Sequence, residues 1–163
     1  MKMNNITLIG MPGAGKSTLG VVLAKILGYE FLDSDLLIQK EEKRRLYQII
    51  DEEGEEGFKT IENRVNVIAT GGSVVYCSEA MEHLKSIGKV VYLSLSLESL
   101  EKRLGNLKKR GVLLKEGQTL KSLYEERVPL YEKYADIVVD EEGKDLEASL
   151  QALLETLQTG VIK

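Results

Sequence analysis

Gly10-Met11-Pro12-Gly13-Ala14-Gly15-Lys16-Ser17-Thr18 matches G-x-x-x-x-G-K-[ST] at every fixed position. Just before it, Ile6-Thr7-Leu8-Ile9 is a short apolar, β-rich run with the character of a buried strand. Just after it, Leu19, Val22, Leu23 and Ile26 recur at helical spacing, and Gly28 supplies a stop. A strand thus delivers the chain to a tight turn, where glycines let bare backbone N–H groups curl around a phosphate oxygen. The next helix aims its positive end at the same phosphates. Gly13, Ala14, Gly15, Lys16, Ser17 and Thr18 are therefore the expected ATP-binding cradle. Lys16 adds a charge that bridges the β- and γ-phosphates, and the Ser17 hydroxyl is placed to ligate Mg²⁺. A glycine-rich turn matching by accident would have to acquire its strand and helix by accident as well.

The bulk properties narrow the class. At 163 residues the chain suits one domain (1–163) with a single core. Hydrophobic residues at 43% and charged residues at 29% fit a folded globular protein rather than a disordered one. A formal net charge of −4 gives the surface as a whole no attraction for nucleic acid or acidic membranes. Cys77 is the only cysteine, which excludes an intrachain disulfide and a cysteine-based zinc cage. His83 is the only histidine, and its polar helical setting reads as a solvated position rather than a catalytic base. No apolar run approaches the ~20 residues that span a bilayer, and the N-terminus passes directly into a strand without a signal peptide. The expected compartment is the cytoplasm.

Along the chain, strands and helices alternate. Tyr29–Leu32 reads as a second strand running into Asp33-Ser34-Asp35, followed by helices over Leu36–Ile50 and Phe58–Asn66. Val67–Thr70 is a third strand ending at Gly71-Gly72, and a helix over Ser78–Ile87 follows. Val90–Leu93, a helix over Leu97–Leu104, a Lys-, Arg- and Gly-rich stretch over Gly105–Gln118 and a helix over Leu120–Tyr134 come next. Ile137–Val139 and a helix over Leu146–Leu157 complete the pattern. This alternation predicts an α/β fold of three layers, a five-stranded parallel sheet flanked by helices. Ligands of such sheets bind beyond the carboxyl ends of the strands. The phosphate loop, the Asp pair and the Gly pair all fall at that edge.

Asp33 and Asp35 point the same way in extended geometry. One carboxylate there can help hold Mg²⁺, and the other can accept a proton from a hydroxyl attacking the γ-phosphate. A turn or helix cap is the plain alternative for such a pair. Phosphoryl transfer also needs cations around the departing group. Lys108, Lys109 and Arg110 lie in the Gly-rich stretch, which reads as a lid over about 105–118, or else as a solvated loop. Arg127, on the helix beyond, is placed to return to the same mouth.

These residues resemble the shikimate kinases, small P-loop kinases of the nucleoside-monophosphate-kinase-like fold that pass the γ-phosphate of ATP to a cyclic, carboxylate-bearing triol. The resemblance runs through Phe31-Leu32-Asp33-Ser34-Asp35, Gly57-Phe58-Lys59-Thr60-Ile61-Glu62, Thr70-Gly71-Gly72-Ser73, Arg110-Gly111-Val112-Leu113-Leu114, Arg127-Val128-Pro129-Leu130-Tyr131 and Ala135-Asp136. It implies that Lys16 and Ser17 serve phosphate and Mg²⁺, with Asp33 on the metal through water. Asp35 would bind the acceptor's hydroxyls and act as the base. Lys59 and Arg127 would hold its carboxylate, and Gly71 and Gly72 would offer backbone contacts. Arg110 would meet the transferred phosphate, and Arg103 would stack on adenine. The resemblance further implies an acceptor-binding helical subregion over about 33–62, ATP and a small molecule as ligands, and a single subunit.

This sequence departs from the family pattern at four places. Position 59 is Lys where the family has Arg, and Lys lacks the planar fork that grips a carboxylate at two points. Ser73 replaces the third glycine, and Gly111-Val112 replaces the Pro-Leu of the lid. The span from Glu62 to Gly71 is short, leaving almost no loop between a helix and a strand. Either that helix is truncated or residues of the natural chain are absent from this one. The alternatives to shikimate phosphorylation are a kinase for another small hydroxylated acid and a nucleotide-binding module without catalysis.

Overall fold

Runs of aliphatic residues make the strands, and the degree of their burial tells which lie at the centre. The computed structural model describes residues 5–33, 66–105 and 117–159. The chain forms β1 (Asn5–Ile9), α1 (Lys16–Leu27), β2 (Glu30–Asp33) and β3 (Asn66–Ala69), then a 3-10 turn over Gly72–Tyr76. It continues through α2 (Ser78–Ile87), β4 (Gly88–Ser94), α3 (Leu97–Leu104), α4 (Leu120–Tyr134), β5 (Ile137–Asp140) and α5 (Leu146–Thr159). The five strands form one parallel sheet in the order β2-β3-β1-β4-β5, as the alternating pattern predicts.

β1 is the middle strand, and all of its residues are buried, as expected of a strand covered on both faces. β5, at one edge, alternates instead: Ile137 and Val139 are buried, while Val138 and Asp140 are exposed. From β1 the chain goes to one side for β2 and β3 and to the other for β4 and β5. That divergence opens a crevice at the carboxyl end of β1. Leu8, Leu19, Leu23, Val91, Leu93 and Leu100 are among the fully buried side chains that join sheet to helices.

Helix ends follow local chemistry. α1 stops at Gly28, whose left-handed backbone (φ 71°) lets its N–H reach the Ala24 carbonyl. α4 opens with a reciprocal capping box between Thr119 and Ser122. The expected helix over Phe58–Asn66 is corrected at its end, because Asn66 opens β3 instead. Asn5 Oδ1 accepts the Asn66 backbone N–H at 2.8 Å and its side-chain amide at 3.3 Å, so paired asparagines start two neighbouring strands. The remainder of that helix, and the one expected over Leu36–Ile50, lie outside the described residues. Among the described residues no helix is long and apolar enough to cross a membrane.

Gly10, directly after β1, has φ 151°, and a Cβ there would stand 2.8 Å from the Leu93 carbonyl oxygen of β4. Gly10→Ala therefore meets backbone strain and an immovable backbone atom together. It is expected to cost about 2 kcal/mol of stability, read as a lower urea midpoint. An unchanged midpoint would mean that β1 and β4 part freely at this point.

Candidate active site

The crevice is floored by the turn between β1 and α1. Ala14 N–H bonds to the Met11 carbonyl at 3.1 Å, and Gly13 and Gly15 take φ values of 85° and 89° that L side chains rarely adopt. Gly15 caps α1, and Leu19 N–H closes the first helical turn on its carbonyl at 2.9 Å. No acidic residue sits in the first turn of α1, so its positive end is open to an anion. Lys16 Nζ arches back over the loop and donates to the carbonyls of Gly10 at 2.7 Å and Met11 at 2.9 Å. Its ammonium thus hangs over the cradle as a positioned charge.

The neighbouring strands bring the next groups. Asp33 ends β2, and its Oδ2 accepts the Ser17 hydroxyl at 2.9 Å, joining the two residues expected at the metal. Thr70 fixes the end of β3 to β1: its hydroxyl and its N–H both reach the Leu8 carbonyl, at 2.9 and 3.2 Å. The chain then turns through Gly71 and Gly72. A Cβ at Gly72 would lie 2.7 Å from Arg127 Nη1, and 3.3 Å from both Pro12 Cδ and Tyr131 Oη. The phosphate loop, the Gly pair and the face of α4 therefore meet at one point, and a side chain at position 72 would push the Arg127 guanidinium aside. Tyr131 Oη donates to the Gly72 carbonyl at 2.7 Å, and its ring stacks on Tyr92 with centroids 5.2 Å apart. Burial raises the Tyr131 hydroxyl well above its ordinary range, which keeps it a donor.

On the other flank of the loop, Arg103 of α3 donates through Nη1 to the Gly13 carbonyl at 3.3 Å. Leu104 packs so closely that a Cβ on Gly13 would fall 2.9 Å from its Cδ2. Arg103 and Arg127 thus stand on opposite sides of the cradle. Of the residues singled out in the sequence, Gly13 through Thr18, Asp33, Gly71, Gly72, Arg103 and Arg127 gather at this edge. Asp35, Lys59 and Arg110 lie outside the described residues, as do most of the lid and of the 33–62 subregion.

Comparison with known proteins bears on this arrangement. A family model described as Shikimate kinase matches residues 12–158. The chain belongs to the shikimate kinase family. It is 38% identical over 151 residues to a shikimate kinase of Persephonella marina, spanning 87% of this chain and 92% of that one. It is 41% identical over 155 residues to one of Francisella tularensis subsp. novicida, covering 88% of each. Its structure is similar to that of a shikimate kinase from Acinetobacter baumannii in complex with shikimate, with a TM-score of 0.77 and 34% identity over 99% of this chain and 97% of that one. Membership accounts for the five-stranded sheet and assigns the chain to the phosphotransferases that act on a hydroxyl group.

Two residues at this edge are placed only by the structure. Tyr76, on the 3-10 turn, touches Arg127; a tyrosine in a Val-Val-Tyr-Cys run carries no signal of that contact. Glu141 is buried behind the loop, and its signal was available: continuing the β5 alternation one residue past Asp140 turns it inward. Burial pushes its carboxyl up to about 7, against the pull of Arg103, a Ser149 hydrogen bond, Lys16 and Lys144. Its Oε2 has no hydrogen-bond partner among the described residues.

The folded chain therefore keeps a proton on Glu141 that the unfolded chain releases from its ordinary 4.5, so stability is lost as pH rises from there through about 7. Glu141→Gln keeps the shape and removes this titration. It is expected to gain thermal stability relative to the parent at pH 8 and not at pH 4. The same Tm difference at both pH values would show that this carboxyl does not change its protonation on folding.

Proposed function

We propose that this chain transfers the γ-phosphate of ATP to the 3-hydroxyl of shikimate. The observation that carries the reading is the meeting of Pro12, Gly72, Arg127 and Tyr131. An arginine held against the edge of a phosphate loop is what a kinase for a carboxylate-bearing alcohol requires. The Acinetobacter relative, solved with shikimate, supports the choice of acceptor.

In this reading the N–H groups of Gly13 through Thr18 and the positive end of α1 receive the phosphates, and Lys16 bridges the β and γ positions. Ser17 and Asp33 present a hydroxyl and a carboxylate oxygen 2.9 Å apart, hard donors that fit Mg²⁺. Ser17 and Asp33 would hold the ion. Bound there, Mg²⁺ neutralises charge that develops on the phosphate oxygens. Asp35 accepts the proton of the attacking hydroxyl, and Arg110, from a lid over about 105–118, meets the transferred phosphoryl group. Arg103 covers adenine. Arg127 and Lys59 hold the acceptor's carboxylate, and the backbone of Gly71 and Gly72 completes an acceptor site built with the 33–62 subregion. The protein works as a single subunit in the cytoplasm.

ADP release coupled to a spectrophotometric readout tests the reaction. With shikimate as acceptor, Lys16→Ala is expected to lower kcat by about 10²–10³-fold without loss of fold by circular dichroism. Asp35→Asn is expected to lower kcat by about 10²-fold or more with little change in ATP affinity. Lys59→Arg, which restores a fork, is expected to lower KM for shikimate. Turnover of another hydroxy acid but not of shikimate would overturn the acceptor, and a fully active Asp35→Asn would overturn the base.

A further inference from the structure

Tyr76 is an odd residue for a structural role. Its side chain is 47% exposed, so it does little to fill the core. Its contacts are instead with charge. Arg127 Nε–H donates to Tyr76 Oη at 3.3 Å, and the guanidinium carbon stands 5.4 Å from the ring centroid. As the acceptor of that bond, the hydroxyl turns a lone pair toward Arg127. One tyrosine thus holds the guanidinium by an edge hydrogen bond and by its ring face.

An arginine can present two pairs of donors to a carboxylate: Nε with one Nη along its side, or both Nη groups at its tip. In this chain Nε is engaged by Tyr76, and Nη1 lies over Gly72 beside the phosphate loop. The tip is the pair that remains. Position 59, assigned to the same carboxylate in the proposed function, is a lysine, which contributes a point charge and no fork, so geometric recognition of a carboxylate falls on Arg127. We infer that Tyr76 is a positioning residue for the acceptor: it holds Arg127 so that the terminal Nη pair faces the acceptor's carboxylate. This rests on the reading of Arg127 as the carboxylate grip. It adds to that reading a determinant of specificity on the 3-10 turn.

The full-length enzyme and its Tyr76→Phe and Tyr76→Leu variants are compared with shikimate and with shikimate carboxamide, which keeps the ring hydroxyls and lacks the charge. Tyr76→Phe, which keeps the ring, is expected to raise KM for shikimate about threefold to tenfold, the worth of one hydrogen bond. Its kcat is expected to stay within about twofold, with KM for ATP and Tm unchanged and kcat/KM for the carboxamide unaltered. Tyr76→Leu, which loses the ring as well, is expected to raise KM for shikimate further. An unchanged KM for shikimate in Tyr76→Phe, with the parent active, overturns the inference alone. So does an equal loss for shikimate and carboxamide accompanied by a fall in Tm, which marks a structural role. A parent that turns over no shikimate overturns the reaction itself, and the inference with it.

Discussion

At the carboxyl end of β1 the backbone runs so close to β4 that no side chain fits between Gly10 and the Leu93 carbonyl. The site depends on this approach. It anchors the phosphate loop to the most buried strand of the sheet, so the loop inherits the rigidity of the core rather than the mobility of a surface turn. Positive φ values at Gly13 and Gly15 then shape the turn, and Gly15 hands the chain to α1 without a capping side chain that would compete with a ligand. β2 and β3, both on one side of β1, end at the same level as it, which brings Asp33 to Ser17 and the Gly71-Gly72 turn to Pro12.

Charge is distributed around that loop by function rather than by bulk composition. The chain as a whole is acidic, at −4, yet Lys16, Arg103 and Arg127 gather around one turn. The two arginines approach from opposite flanks, Arg103 over Gly13 and Arg127 over Gly72. A nucleotide and a carboxylate-bearing acceptor can each meet a cation without sharing one. Glu141 adds a buried acid behind the loop, where its neutral form is favoured. A permanent negative charge there would weaken the cradle's attraction for phosphate. Tyr131 supports the Gly72 turn by stacking on Tyr92 and bonding to the Gly72 carbonyl.

Much of this was legible in the sequence, for identifiable reasons. The phosphate loop constrains spacing and residue type at once, and the strand before it and helix after it agree with it. α2, α3 and α4 occupy the ranges expected from their apolar spacing; Ser96 and Thr119 cap the starts of α3 and α4, and Gly88 and Gly105 follow the ends of α2 and α3. Arg127 was expected at the mouth and stands against Gly72. Asn66 was misplaced into a helix because its decisive partner, Asn5, lies sixty-one positions away and is invisible to a local window. Tyr76 was missed for a similar reason: its significance comes from a residue on another element. The burial of Glu141 was missed although period-two alternation marks it, once the strand is followed one residue further.

The central claim is that the carboxyl edge of this sheet holds the phosphate tail of a nucleotide beside a small carboxylated alcohol. A crystal structure of the chain with ADP, Mg²⁺ and shikimate tests it most directly. The β-phosphate is expected over the N–H groups of Gly13 to Thr18, Mg²⁺ at Ser17 and Asp33, and the shikimate carboxylate on the tip of Arg127 with its 3-hydroxyl toward Asp35. Shikimate bound away from Arg127, or Asp35 turned out of the pocket that Lys16 borders, would contradict it.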